Sequence, residues 1–162
     1  MAQTSISSNP AVGVAGTFAT GESTPINTRS LIAAETITAG KFVVVTVDDA
    51  DTCEQPDATG EVTGGRMVGV ALRPADGSTS YAAGETVTIA HQGEIWVAGE
   101  DTGIVAGGSV FVRFADAGTY GLGSARSDAD TADAVAAPGA VFTSNAAAAG
   151  DLVKVWISGP FI

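Results

Sequence analysis

A short pattern of apolar and polar positions recurs four times along the chain: Ala-Gly, two variable residues, then aliphatic, any residue, aliphatic. It opens at Ala39-Gly40 with Val43 and Val45, at Ala83-Gly84 with Val87 and Ile89, at Ala106-Gly107 with Val110 and Val112, and at Ala149-Gly150 with Val153 and Val155. Apolar residues spaced by two mark a strand with one buried face, and a glycine just before them is turn chemistry. The pattern predicts four tight turns, at Gly40, Gly84, Gly107 and Gly150, each feeding a strand. Further strands are expected at residues 66–72, where Gly69 marks a bulge or close backbone approach, at 94–97 after a return at His91-Gln92-Gly93, and at 141–143. Residues 42–47 are apolar on both faces, with Val43, Val45 and Val47 on one and Phe42, Val44 and Thr46 on the other, which predicts an interior strand.

The units are not equivalent. Nine residues after the unit glycine, the first and third carry Asp49 and Asp116, each opening Asp-Ala-x-Thr, whereas the second and fourth carry Gly93 and Gly159. The chain from residue 31 onward therefore reads as two similar halves, 31–103 and 104–162. Each leaves an apolar face uncovered, so the expectation is an all-β fold, a compact barrel or sandwich in which the halves close on one another. Residues 1–30 stand apart: Ser, Thr, Gly, Ala, Asn and Pro surround isolated Ile6, Val12, Val14, Phe18 and Ile26 without a period. That segment reads as a flexible tail or as an extended arm that docks along a neighbouring subunit. Two polar stretches interrupt the pattern. Asp48, Asp49, Asp51, Glu54, Asp57 and Glu61 do not meet the calcium-loop pattern and read as a solvated loop. Residues 118–140 read as irregular loop, the alternative being one or two helical turns capped by Asp128 and stopped by Pro138.

Composition narrows the function. A chain of 162 residues suits one domain, and 45% hydrophobic against 15% charged residues with 21 glycines fits many short strands. A net charge of -11 with seven scattered cations argues against nucleic acid as a partner, and no apolar run reaches membrane-spanning length. The start, MAQTSISSNP, lacks the basic and apolar regions of a secretory leader, so synthesis in the cytoplasm is expected. Cys53 is the only cysteine, leaving no disulfide framework and no cysteine metal site.

Catalytic chemistry finds no foothold. His91 is the sole histidine and no serine sits in Gly-x-Ser-x-Gly; it reads as a polar residue of a turn. Cys53 stands beside Glu54, which raises a thiol pKa. Gly40-Lys41 lacks the remainder of a phosphate loop, and Gly121-Leu122-Gly123 lacks the third glycine of a dinucleotide turn. No catalytic, cofactor or metal residues are assigned. The candidate contact residues are aromatic and apolar. Trp156 faces away from Val153, Val155 and Ile157, and Trp96 away from Ile95 and Val97; outward tryptophans act as partner anchors, unless another part of the same chain covers them. Phe161 and Ile162 form an apolar end, and Phe18 and Ile6 are the large side chains of the arm.

The strings ITAGKFVVV, MVGVAL, YAAGETVTI, QGEIWV, VAGGSVFV and AAAGDLVKVWISG, in this order over residues 31–162, resemble the structural cement or decoration proteins of tailed-phage capsids. The resemblance implies a compact β-barrel or sandwich without catalysis. It also implies that the protein binds the outer surface of the capsid, bridges subunits of the major capsid protein, and does so as a homotrimer. Its location would then be the virion, after synthesis in the host bacterial cytoplasm. The runner-up is a carbohydrate-binding or adhesin-type β-sandwich in which Trp96, Trp156, Tyr81 and Tyr120 stack on sugars. A lipoyl- or biotinyl-carrier fold would need a lysine at an exposed hairpin tip, and Lys41 and Lys154 lie beside or within strands.

Overall fold

The computed structural model describes residues 13–19, 27–115 and 119–159. Within them all four Ala-Gly units fold alike. The carbonyls of Thr38, Ala82, Val105 and Ala148 accept hydrogen bonds from the N–H groups of Lys41, Glu85, Gly108 and Asp151 at 3.3, 3.1, 3.1 and 3.1 Å. The unit glycines have φ of 82°, 86°, 86° and 88°. That is the third position of a type II turn, which requires positive φ and selects glycine. One local solution is used four times to launch β3 (Phe42–Val45), β7 (Thr86–Ala98), β8 (Ser109–Arg113) and β11 (Leu152–Ile157).

The first half closes into a five-stranded barrel. Its other strands are β1 (Asn27–Ala33), β4 (Thr52–Glu54) and β5 (Met67–Ala71), in the cyclic order β1-β4-β3-β5-β7, with β1 meeting β7 again. The β1–β4 pair is parallel and the others antiparallel. Leu31, Val43, Val45, Cys53, Val68, Val87 and Ile89 form one core, joined by Ile37 of β2 (Ile37–Thr38) and Tyr81 of β6 (Ser80–Tyr81). Phe42, Val44, Met67 and Val70 point the other way, into a second core shared with the C-terminal half. Strands β3 and β5 are thus buried on both faces, as the apolar run at 42–45 predicts. Burial of each such Val or Ile stabilises the fold by about 1.5–3 kcal/mol.

The second half adds β9 (Ala125–Arg126) and β10 (Ala134–Phe142) to give a sheet in the order β7-β11-β10-β8-β9. Its far edge returns to its start, because Ala125 forms a parallel bridge with Gly99 and its carbonyl accepts from Glu100 N–H at 2.8 Å. Val110, Val112, Phe142, Val153, Val155 and Ile157 line the inner face. The helix α1 (Thr59–Thr63) packs Val62 into the same core and lies against β10.

Four local expectations are corrected. No turn occurs at His91-Gln92-Gly93: β7 is continuous for 13 residues, and Gly93, with φ 136°, lets it pass from one sheet to the other. His91 is therefore a strand residue, not a turn residue. Pairing to β1 ends at Gln92 and pairing to β11 begins at Gly93, so the ladder continues across the glycine. The strand at 42–47 ends at Val45, because Thr46 turns its hydroxyl to the Asp49 carbonyl and leaves Val47 77% exposed. Residues 118–140 are not merely loop, for β10 begins at Ala134 and takes in Val141 and Phe142 of the strand predicted at 141–143, ending one residue short of it. Pro138 does not stop it. The β8 register shifts between Ala136 and Val141, and a bulge there accommodates a residue with no N–H to donate. Asp128 caps no α-helix; its carboxylate accepts from Asp130 N–H before a single 3-10 turn at Asp130–Ala132.

Lys41 ties the halves together at the start of β3. Its ammonium donates to the Tyr120 carbonyl and the Ser124 hydroxyl, beside a Phe42 N–H to Gly123 carbonyl bond of 2.9 Å. Burial pushes its pKa down to about 8, with Glu100 opposing and Arg113 adding to the fall. Above about pH 8 the folded chain has lost a proton that the unfolded chain retains up to the ordinary lysine range. Stability accordingly rises with pH across that window. Urea midpoints measured from neutral pH to about pH 10 should show this rise in the native protein and lose it in Lys41→Met.

Candidate interaction face

The outer face of the second sheet gathers the residues singled out by their outward alternation. Cross-strand register places Leu152 opposite Ala98, Lys154 opposite Trp96, and Trp156 opposite Glu94 on β7 and Val141 on β10. Val153, Val155 and Ile157 turn to the core between them, fully buried, while Leu152, Lys154 and Trp156 are half-buried and Val141 is 38% exposed. The only charges in these rows neutralise each other: Lys154 Nζ lies 3.5 Å from Glu94 Oε2, and Glu94 Oε1 also accepts from the Thr143 hydroxyl. Lys154 Nζ stands 5.4 Å from the Trp96 ring centroid, a cation–π contact that fixes the indole.

Trp96 is partly covered from within the chain. Residues 13–19 run along β7 on the edge opposite β11. Gly16 N–H donates to the Trp96 carbonyl at 2.8 Å, Trp96 N–H to the Thr17 carbonyl at 2.9 Å, and Ala19 N–H to the Glu94 carbonyl at 2.8 Å. Gly13 rests against the indole so closely that a Cβ there would fall 2.1 Å from Trp96 Cδ1. Phe18 bridges Ile95 and packs its ring on the second core. The structure thus brings Trp96 and Trp156 onto one face and places Phe18 behind it. Ile6, Phe161 and Ile162 lie outside the described residues, as do Asp116 and its Asp-Ala-x-Thr companions Ala117 and Gly118. Of the remaining glycines singled out, Gly93 is buried in β7, and Gly159 lies against His91, where a Cβ would come within 2.3 Å of the His91 carbonyl oxygen.

This neutral face belongs to a strongly acidic molecule whose cations are already engaged. Arg66 pairs with Glu54 and Glu61, Arg113 and Arg126 with Glu100 and Asp130, and Lys154 with Glu94. Arg29 and Arg73 donate to the carbonyls of Ala50 and Gly77. The acidic turn at 46–52 uses its own groups for turn bonds, Asp49 Oδ1 accepting from Asp51 N–H at 2.9 Å. Among the described residues no three His, Cys, Asp or Glu side chains converge as metal ligands would.

Cys53 and Tyr81 are placed as core residues. Cys53 is fully buried in the barrel, and burial, reinforced by Glu54, pushes its thiol up to about 12. Tyr81 is also buried, its hydroxyl donating to the Leu72 carbonyl at 2.9 Å, and so is unavailable for stacking on a sugar. Sequence reasoning missed Val141, because β10 was not recognised over its length. It also missed the cluster of Arg113, Arg126, Glu100, Asp128 and Asp130. The available signal was Arg113 itself, a lone charge inside the apolar run VFVRF.

A family model described as structural cement protein (E217 gp24/Pam3 gp6) matches residues 2–158, starting well before the Ala-Gly units. No curated protein matches the chain. Among solved structures, a chain from "The capsid of Myoviridae Phage XM1" superposes with a TM-score of 0.73 over 99% of this chain and 98% of that chain, at 16% identity. At that identity the likeness shows a shared fold.

Proposed function

Since the chain belongs to the phage structural cement protein family, we propose that it binds the outer surface of a capsid and stabilises the shell by bridging subunits of the major capsid protein. The observation that carries this reading is the neutral face holding Trp96, Trp156, Leu152 and Val141 on a protein of net charge -11. A charged rim steers a partner, but desolvated aromatic residues in a neutral patch hold it. Trp156 combines large area with few rotatable bonds, and its Glu94 neighbour is already satisfied by Lys154 and Thr143. The barrel and the second sheet enclose packed cores, which gives a rigid body suited to bridging. A homotrimer at a junction of coat subunits would let three such faces act together, and the chain would be made in the host cytoplasm before it joins the shell.

The experiment adds purified protein to undecorated coat shells. Saturable attachment and a higher shell melting temperature are expected, with little change between low and moderate salt because the contact is neutral. Trp156→Asp should weaken attachment by about 30-fold, the effect of losing a hot-spot residue, while leaving the protein's own melting temperature nearly unchanged. Failure of the native protein to attach, or an attachment that Trp156→Asp leaves intact, would overturn the proposal in its general or its specific part respectively. Sedimentation of shell-bound and free protein tests the trimer.

A further inference from the structure

The connection from β9 to β10 passes through three consecutive non-glycine residues in the left-handed region: Asp130 at φ 42°, Thr131 at 58° and Ala132 at 86°. Each is disfavoured for an L residue by its own Cβ, and no glycine stands at 129–133 to relieve the crowding. The local sequence therefore does not ask for this turn.

What holds it comes from other strands. Arg113 of β8 donates through Nη2 to Asp130 Oδ2, and Arg126 of β9 places Nη1 2.9 Å from the same oxygen. Arg126 also holds Asp128 Oδ1 through Nη2 at 2.6 Å and Nε at 3.0 Å, and Asp128 Oδ1 accepts from Asp130 N–H at 3.0 Å. Behind the arginines lies Glu100, buried and bonded to both. Among the described residues the other charged groups around the turn are Asp101, which accepts from Ser127, Asp133 at its end, and Lys41, whose charge is felt by Glu100 and Arg113. The side chains of Arg113 and Arg126 are only 2% and 9% exposed, whereas those of Asp130 and Asp128 are 36% and 66% exposed. Protons can thus reach Asp128, and its guanidinium partner does not titrate.

We propose that this cluster is an acid-released latch: two arginines hold residues 128–133 in a left-handed turn that their sequence disfavours, and protonation of Asp128 frees the turn before the barrel opens. The hydrogen bond from Arg126, with a further one from Asp130 N–H, keeps Asp128 below the usual carboxylate range. Its share of the latch is complete above that range and is lost as pH falls through the lowered value. Thr131 and Ala132 lie at the surface, whereas Ala134 at the start of β10 is 3% exposed and Val135 packs on the second core, so release stops at residue 133.

The turn has its own reporters, the N–H groups of Ala132, Asp133 and Ala134, which donate to the carbonyls of Ala129, Asp130 and Ala129 at 2.9, 3.2 and 3.1 Å. Their hydrogen exchange is measured in the native chain from neutral to acid pH, corrected for intrinsic rates, and at neutral pH in Asp130→Asn, Ala132→Gly and the exposed-loop control Asp49→Asn. Asp130→Asn should speed exchange of the three amides by about tenfold or more, as expected for loss of a charge-assisted pair. Ala132→Gly, which relieves strain, should slow it, and Asp49→Asn should leave it unchanged. In the native chain acid should open these amides at a higher pH than those of β3 and β7. Unchanged exchange in Asp130→Asn, faster exchange in Ala132→Gly, or acid opening in step with the barrel would each overturn the latch.

Discussion

Replacing Arg113 with Met is expected to lower the unfolding free energy by about 3–5 kcal/mol, the range for removing one partner of a buried ion pair. The side chain is 2% exposed and grips Glu100 through Nε at 2.7 and 2.8 Å, with Nη2 reaching both Glu100 and Asp130. The Glu100 hydrogen bond raises the Arg113 pKa further, so the guanidinium is charged throughout. Methionine fills the volume and supplies none of the donors. Glu100 would then keep only Arg126, at 2.9 Å, while remaining out of water. The contrast is Lys154→Met, which breaks a half-buried pair at the surface and should change stability by about 0–1 kcal/mol. Urea denaturation of the two variants measures the difference, and equal midpoints would show that the buried cluster contributes no more than a surface pair. Such a result would also remove the physical basis for the latch at Asp130.

Gly69→Ala is the second large effect. A Cβ at Gly69 would lie 2.0 Å from the Ala90 carbonyl oxygen and 2.8 Å from its carbon, and the residue sits at φ 152°. The obstacle is backbone of the neighbouring strand, so no rotamer change relieves it. It falls where β5 meets β7, at the Val70–Ala90 register, and pushing these strands apart opens the barrel. A loss of at least about 3 kcal/mol follows, roughly 6–12 °C in melting temperature for a chain of this size. Gly77→Ala separates the two causes: it has φ 86° but open space around the missing Cβ, so it incurs conformational strain alone, about 1 kcal/mol. Similar losses at the two positions would mean that strand spacing at the β5–β7 seam adapts more readily than the geometry implies.

These two sites also mark where sequence reading succeeds and fails. Gly69 was recognisable as a point of close approach because a glycine inside an apolar strand adds nothing to the core and leaves room for another backbone to come near. Its partner, Ala90, was not, since nothing local says which strand lies beside which. The same division holds for the tryptophans. Alternation along β11 and β7 is enough to send Trp156 and Trp96 away from the core, yet their placement on one face depends on the Trp156–Glu94 and Lys154–Trp96 register. The partial cover over Trp96 comes from Gly13, far away in sequence.

What the sequence determined by itself is therefore the local repertoire. The four Ala-Gly units specify four type II turns, because positive φ at the third turn position selects glycine. The period-two apolar residues after them specify which face of β7, β8 and β11 is turned to the core, and the unbroken apolar run at 42–45 specifies that β3 is buried on both faces. Only the tertiary structure decided that β7 runs unbroken through Gly93 and serves both sheets, and that AVAAPGAVF is a strand despite its proline and glycine. It alone showed that residues 13–19 complete an edge of β7, and that Arg113 and Arg126 converge on Asp130 in a left-handed turn. The physical reason is common to all four. Turn and strand preferences are set by each residue's own φ, ψ and side chain, whereas pairing, bulges and buried charge are stabilised by groups distant along the chain, whose identity is fixed only when the barrel closes.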